Sequence, residues 1–110
     1  ELKSGDICEY SISPEDFGLA RGDLKDLKVA DAKESLDLIE RALSKQALSK
    51  GSVTASDMVA LNAGAALYTA GIANDLSEGV RLAQDAIGSG LAKAKISDLA
   101  TFTHCLKETE

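Results

Sequence analysis

Apolar residues recur at helical spacing in four stretches of the chain, and each stretch has a recognisable beginning. Asp31-Ala-Lys-Glu34 is a capping-box pattern, in which the aspartate accepts from first-turn amides and the glutamate reaches back. Ala32, Leu36, Ile39 and Leu43 then fall on one face and predict a helix that turns them inward. Thr54-Ala-Ser-Asp57 predicts the start of a second helix running to Gly71. Its apolar residues, from Val59 to Ala70, surround the axis almost completely, which is the pattern of a central, buried helix. Asp75-Leu-Ser-Glu78 caps a third helix with Leu76, Val80, Ala83 and Ile87 inward, and Gly88-Ser89-Gly90 ends it. A last helix carries Ala92, Ile96, Leu99 and Leu106 with Phe102 nearby, and its polar tail from Lys107 to Glu110 is expected to fray.

The first thirty residues read differently. Lys3-Ser-Gly-Asp6 is a turn cluster, and Ile7 to Ile12 follows as a strand with Cys8, Tyr10 and Ile12 on one face. Only Glu1 and Leu2 precede the turn, so the strand is expected to belong to a truncated hairpin whose edge needs another partner. Pro14 removes a backbone donor and ends the strand. The expected organisation is therefore a strand within 1–13, an ordered loop over 14–30 and four helices over 31–107. The fold class is mostly α with one or two short N-terminal strands.

Composition narrows the function classes. At 110 residues the chain has the length of one small domain, with 45% apolar and 27% charged residues, so disorder is not expected. The formal charge of −6 repels phosphate backbones and predicts no nucleic-acid binding. No stretch of about 18 uncharged apolar residues is present, and the run from Met58 to Ile72 is interrupted by Asn62 and Thr69, so no membrane span is expected. Cys8 and Cys105 lie far apart and outside any CxxC pair, a usage that fits a reducing cytoplasm.

Three blocks of residues carry a family resemblance. Tyr10-Ser-Ile-Ser-Pro-Glu-Asp-Phe-Gly-Leu19 resembles the strand-then-loop signature of anthranilate phosphoribosyltransferases. Asp57-Met-Val-Ala-Leu-Asn-Ala-Gly-Ala-Ala-Leu-Tyr68, followed by Ala70-Gly71, is similar to that family's central C-terminal helix. Gly79-Val-Arg-Leu-Ala-Gln-Asp-Ala-Ile-Gly-Ser-Gly90 is a third match, in order and at plausible spacing. The resemblance spans essentially the whole chain. It implies the C-terminal part of the α/β domain of the nucleoside phosphorylase/phosphoribosyltransferase fold. It also implies transfer of phosphoribosyl from phosphoribosyl pyrophosphate to anthranilate with Mg²⁺ in tryptophan biosynthesis, by a homodimer.

The family's Gly-rich loop, Lys-His-Gly-Asn-Arg stretch and Asp-Glu metal pair have no counterpart here, so no catalytic, cofactor-binding or metal-binding residue is carried over. The chain alone is expected to be inactive scaffold. It is also expected to self-associate through apolar faces meant for the rest of the protein. Two alternatives are a non-catalytic binding module on the same scaffold and part of a related nucleoside phosphorylase; the Pro14–Leu19 signature disfavours the second.

Individual residues admit sharper readings. Adjacent Glu15 and Asp16 could hold Mg²⁺ through oxygen, but Asp16 capping amides around Phe17 and Gly18 is the expected role. Asn62 could project into an active-site pocket, but the expected role is a buried side chain hydrogen-bonded to a neighbouring loop, costly to replace in either case. Gly64, in mid-helix, is expected to serve close helix packing instead of cradling phosphate, and Gly71 to cap the helix. His104 and Cys105, neighbours on a helix, point about 100° apart and do not form a nucleophile–base pair. Arg21-Gly22-Asp23 spells an adhesion tripeptide by coincidence.

Overall fold

The structure, a computed structural model, describes residues 1–44 and 50–108. The chain opens with a minimal antiparallel hairpin, β1 (Leu2–Lys3) and β2 (Asp6–Ile7), in which Leu2 faces Ile7 and Lys3 faces Asp6. Ser4 and Gly5 both take positive φ, 54° and 84°, and close the two-residue loop with the twist that hairpin strands favour. Past the strands, the Cys8 amide donates to the Glu1 carbonyl at 2.8 Å. The strand expected over 7–12 is thus reduced to Asp6–Ile7, and residues 9–13 carry no strand pairing. The short segment ahead of the turn already supplies the partner, and residues 9–13 have no second one.

Two 3₁₀ turns, Pro14–Phe17 and Leu24–Leu27, give the 14–30 loop its order. Four helices follow: α1 (Ala32–Ala42), α2 (Lys50–Thr69), α3 (Leu76–Ser89) and α4 (Leu91–Glu108). Local chemistry sets their ends. Asp31 accepts from the Glu34 amide at 2.8 Å, and the Glu34 carboxylate accepts from the Ala30 amide at 2.8 Å. Asp75 likewise caps α3 by accepting from the Glu78 amide at 2.7 Å. The α2 terminus is a Schellman motif: Gly71 sits at φ 79°, its amide donates to the Tyr68 carbonyl, and the Ile72 amide donates to the Leu67 carbonyl.

The predicted start of α2 is displaced. The helix begins at Lys50, so Thr54 lies inside it. Upstream, Gly51 lies against the Asp26 carbonyl, which a Cβ there would meet at 2.9 Å, and the Leu24–Leu27 turn packs on this first part of α2. At the other end of the chain α4 stays helical through Glu108, so Lys107 and Glu108, expected to fray, are ordered, while Thr109 and Glu110 lie outside the described residues.

α2 is the hub, packing against α1, α3 and the Leu24–Leu27 turn. The core around it is small. Leu43, Ala60, Ala83 and Ile87 form its buried cluster, with Ala63, Leu67, Ala92 and Ile96 packed alongside. Five of the nine buried apolar residues described are alanines, whereas Leu36, Ile39, Met58, Val59, Leu99, Phe102 and Leu106 are all exposed. The inward faces expected for α1 and α4 are therefore covered only in part. α1 has α2 as its main neighbour and turns Leu38, Ala42 and Leu43 toward it, leaving Leu36 and Ile39 outside. α4 seats Ala92 and Ile96 and then runs on past the core. The radius of gyration, 16.1 Å, exceeds the roughly 13 Å of a compact domain this long, in keeping with helices that extend beyond their shared core.

Candidate functional site

Polar side chains converge where the hairpin meets the end of α2. Lys3 Nζ donates to the Tyr68 hydroxyl at 3.2 Å and lies 5.3 Å from the ring centroid. Tyr68 in turn donates to the Glu1 carboxylate, which also accepts from the Tyr10 hydroxyl at 3.3 Å. The Tyr68 hydrogen bond holds the Glu1 carboxyl below its ordinary pKa and the same hydroxyl raises that of Lys3. The groove here, about 700 Å³, is floored by Ala65, Ala73 and Leu76. Its polar groups are spent on one another, so the cluster works as a clasp between hairpin and helix. No local pattern points to it, because Lys3 and Tyr68 stand 65 residues apart.

A second groove of about 360 Å³ separates the 12–27 segment from α2. Asp57 and Asn62 stand on its helical wall, with Ile12, Leu24, Met58 and Leu61 around them. Burial raises the Asp57 pKa, and no charged neighbour among the described residues offsets that. The reading of residues 54–57 as the helix start missed this, since in a helix that runs from Lys50 the Asp57 carboxylate is no longer in the first turn. A third trough, of about 600 Å³, runs between α2 and α3 and is walled almost wholly by apolar groups such as Ala63, Ala66, Ile72 and Ala86.

The residues singled out from sequence are not brought together. Glu15 turns to Arg21, whose Nε and Nη2 donate to its two oxygens at 3.1 and 3.4 Å, and this pairing holds the Glu15 carboxyl below its usual range. Asp16 turns the other way and accepts from the Ser13 amide at 2.9 Å, so it caps the turn from its front and not at Phe17 and Gly18. The two carboxylates are not a shared cation site, and among the described residues no three His, Cys, Asp or Glu side chains gather as metal ligands. The residues present thus do not fit the Mg²⁺ that the family resemblance implies.

Asn62 is exposed, and its Nδ2 donates to the Met58 carbonyl of its own helix at 2.8 Å, which corrects the expectation of a buried side chain bonded to a loop. Gly64 lies against Val80, as close packing requires. His104 pairs with Glu108 at 3.1 Å, and Cys105 is exposed with a free thiol. The Arg21-Gly22-Asp23 residues all have local work. Arg21 pairs with Glu15, Gly22 lies against the Thr54 side chain, and Asp23 caps the second 3₁₀ turn.

The helices pack around an alanine-rich α2 and follow a two-stranded hairpin and a Pro14-led turn. The profile described as "Glycosyl transferase family, a/b domain" matches residues 1–93. The chain belongs to this family. Four helices and two short strands fit its phosphoribosyltransferase/nucleoside phosphorylase fold.

Among curated relatives, the chain is 56% identical to an anthranilate phosphoribosyltransferase of Hahella chejuensis over 110 residues, all of this chain and 32% of that protein. It is 54% identical to the anthranilate phosphoribosyltransferase of a Marinomonas species, over 96% of this chain and 30% of the relative. The corresponding protein of Stutzerimonas stutzeri is 49% identical over 98% of this chain and 31% of its own length. The chain thus spans about a third of the length of the family members it matches. No described helix is long and apolar enough to cross a membrane.

Proposed function

We propose that residues 1–110 are the C-terminal scaffold portion of a cytoplasmic anthranilate phosphoribosyltransferase of tryptophan biosynthesis. The observation that carries this reading is 56% identity over the entire chain to a protein of that name. In the proposed reaction the amino nitrogen of anthranilate bonds to the anomeric carbon of phosphoribosyl pyrophosphate. The bond from that carbon to the diphosphate oxygen breaks, pyrophosphate leaves with the electron pair, and the nitrogen gives up one proton to water. The protein's share is to position the reactants and to neutralise the departing diphosphate.

The groups that would do this, and those that would hold Mg²⁺, are assigned to the remainder of a longer polypeptide. What residues 1–110 contribute is a packed helical support. Its exposed Leu36, Ile39, Leu99 and Phe102 offer surface for the rest of the domain. The longer protein is expected to be a homodimer.

The test is to read the coding frame upstream of Glu1 and assay its full-length product. A Gly-rich loop, Lys-His-Gly-Asn-Arg and an Asp-Glu pair are expected there. Loss of anthranilate fluorescence should require phosphoribosyl pyrophosphate and Mg²⁺, while residues 1–110 alone give no turnover. Phosphorolysis of a nucleoside with no consumption of anthranilate would replace this reading with that of a nucleoside phosphorylase.

A further inference from the structure

We propose that the groove between the 12–27 segment and α2 seats another stretch of the same longer polypeptide, one that brings an arginine or lysine side chain to Asp57. The inference rests on the reading above that residues 1–110 are part of a longer phosphoribosyltransferase.

Charge is the first argument. Asp57 is half-buried where the groove's helical wall meets a smaller cleft lined by Ser44, Ser56 and Gln84, and no cation of the described residues reaches it. Arg21 also lines the groove but is committed to Glu15 through two hydrogen bonds. Asn62 has given one of its two amide hydrogens to the Met58 carbonyl, and its Oδ1 is a further acceptor on this wall. Acceptors with one uncompensated negative charge call for a donor-rich cation, because a carboxylate withdrawn from water without a partner is costly.

The rim argues for a peptide segment over a small free amine. Ile12, Leu24 and Met58 stand around the groove at 46%, 71% and 44% exposure. A small ammonium ion could neutralise Asp57 but would leave these side chains in water. A segment with apolar residues flanking its basic one covers them as well. The chain spans about a third of its relatives' length, and on the reading above the remainder of the longer polypeptide supplies such a segment.

The test uses the full-length protein. Its crystal structure should place an arginine or lysine nitrogen from outside residues 1–110 within about 4 Å of the Asp57 carboxylate. Asp57→Asn should lower the Tm by at least about 4 °C, because the cation is then left buried and unpaired. The proposal is overturned if the groove of the full-length protein holds only water, or if Asp57→Asn leaves the Tm unchanged or raises it, as removal of an unpaired half-buried charge would. It is equally overturned if benzylammonium stabilises the wild type but not Asp57→Asn, which would make the groove a small-amine site. Turnover of the wild-type enzyme is measured separately, so failure of the docking proposal and failure of the transferase reading are told apart.

Discussion

Gly64 of α2 and Gly79 of α3 meet backbone to backbone. A Cβ on Gly79 would lie 2.2 Å from the Gly64 carbonyl oxygen, and one on Gly64 would lie 2.6 Å from the Val80 amide nitrogen. Neither obstacle is the end of a flexible side chain, so a methyl group at either position must push the two helices apart. Alanine gains roughly 1 kcal/mol in helix propensity over glycine, while overpacking costs about 1–3 kcal/mol and more against rigid backbone. Gly64→Ala and Gly79→Ala in the full-length protein should each be destabilising by about 1–2 kcal/mol net, read as a lower denaturation midpoint. Gly88, also helical but with open space where its Cβ would be, is the control. There Ala should be neutral or stabilising by up to about 1 kcal/mol. Equal responses at all three sites would remove the close crossing as an explanation.

Helix capping gives an independent pair of expectations. Asp31 and Asp75 each accept a first-turn amide, from Glu34 and Glu78. Asp31→Ala and Asp75→Ala should each cost about 1 kcal/mol, with Asn in place of Asp recovering most of it. The caps belong to different helices and share no partner, so the double variant should be nearly additive in urea denaturation.

Glu15 and Arg21 set a pH dependence whose sign is fixed. The guanidinium lowers the folded-state pKa of Glu15 below its unfolded value. The pair's contribution is therefore present above the unfolded glutamate pKa and is lost as pH falls through the depressed folded value. Both side chains are more than half exposed, so the effect on stability is small and salt-sensitive. Carboxyl NMR is the direct measurement. Glu15 should titrate below the ordinary glutamate range, and Arg21→Gln should move it back toward that range, the backbone and Ser13 hydrogen bonds that also lower it being kept. An unmoved titration in the variant would dissociate the shift from the pair.

The apolar stripe of α4 predicts the behaviour of residues 1–110 expressed alone. Leu99, Phe102 and Leu106 stand 61%, 61% and 51% exposed on a helix seated only through its first turns. Sedimentation velocity should show concentration-dependent association, and Leu99→Glu with Phe102→Glu should weaken it. A clean monomer at high concentration in the unsubstituted chain would count against the stripe as an adhesive surface.

The sequence by itself determined where most helices begin and end. Asp31, Asp75, Gly71 and Gly90 act within one helical turn, through hydrogen bonds and backbone conformations that need no distant partner. It also determined that Gly64 serves packing, since a glycine amid apolar helix residues has few other uses. Only the tertiary structure decided which apolar faces are covered. Periodicity marks Leu36, Ile39, Leu99 and Phe102 as wanting burial, yet burial takes a second surface, and α1 and α4 each find one for only part of their length. Asn62 was misread for the same reason: its position in an apolar run says nothing about the side of α2 that a neighbour covers. The Lys3–Tyr68 contact and the groove at Asp57 arise from chain segments that meet only after folding, which is why no local pattern announced either.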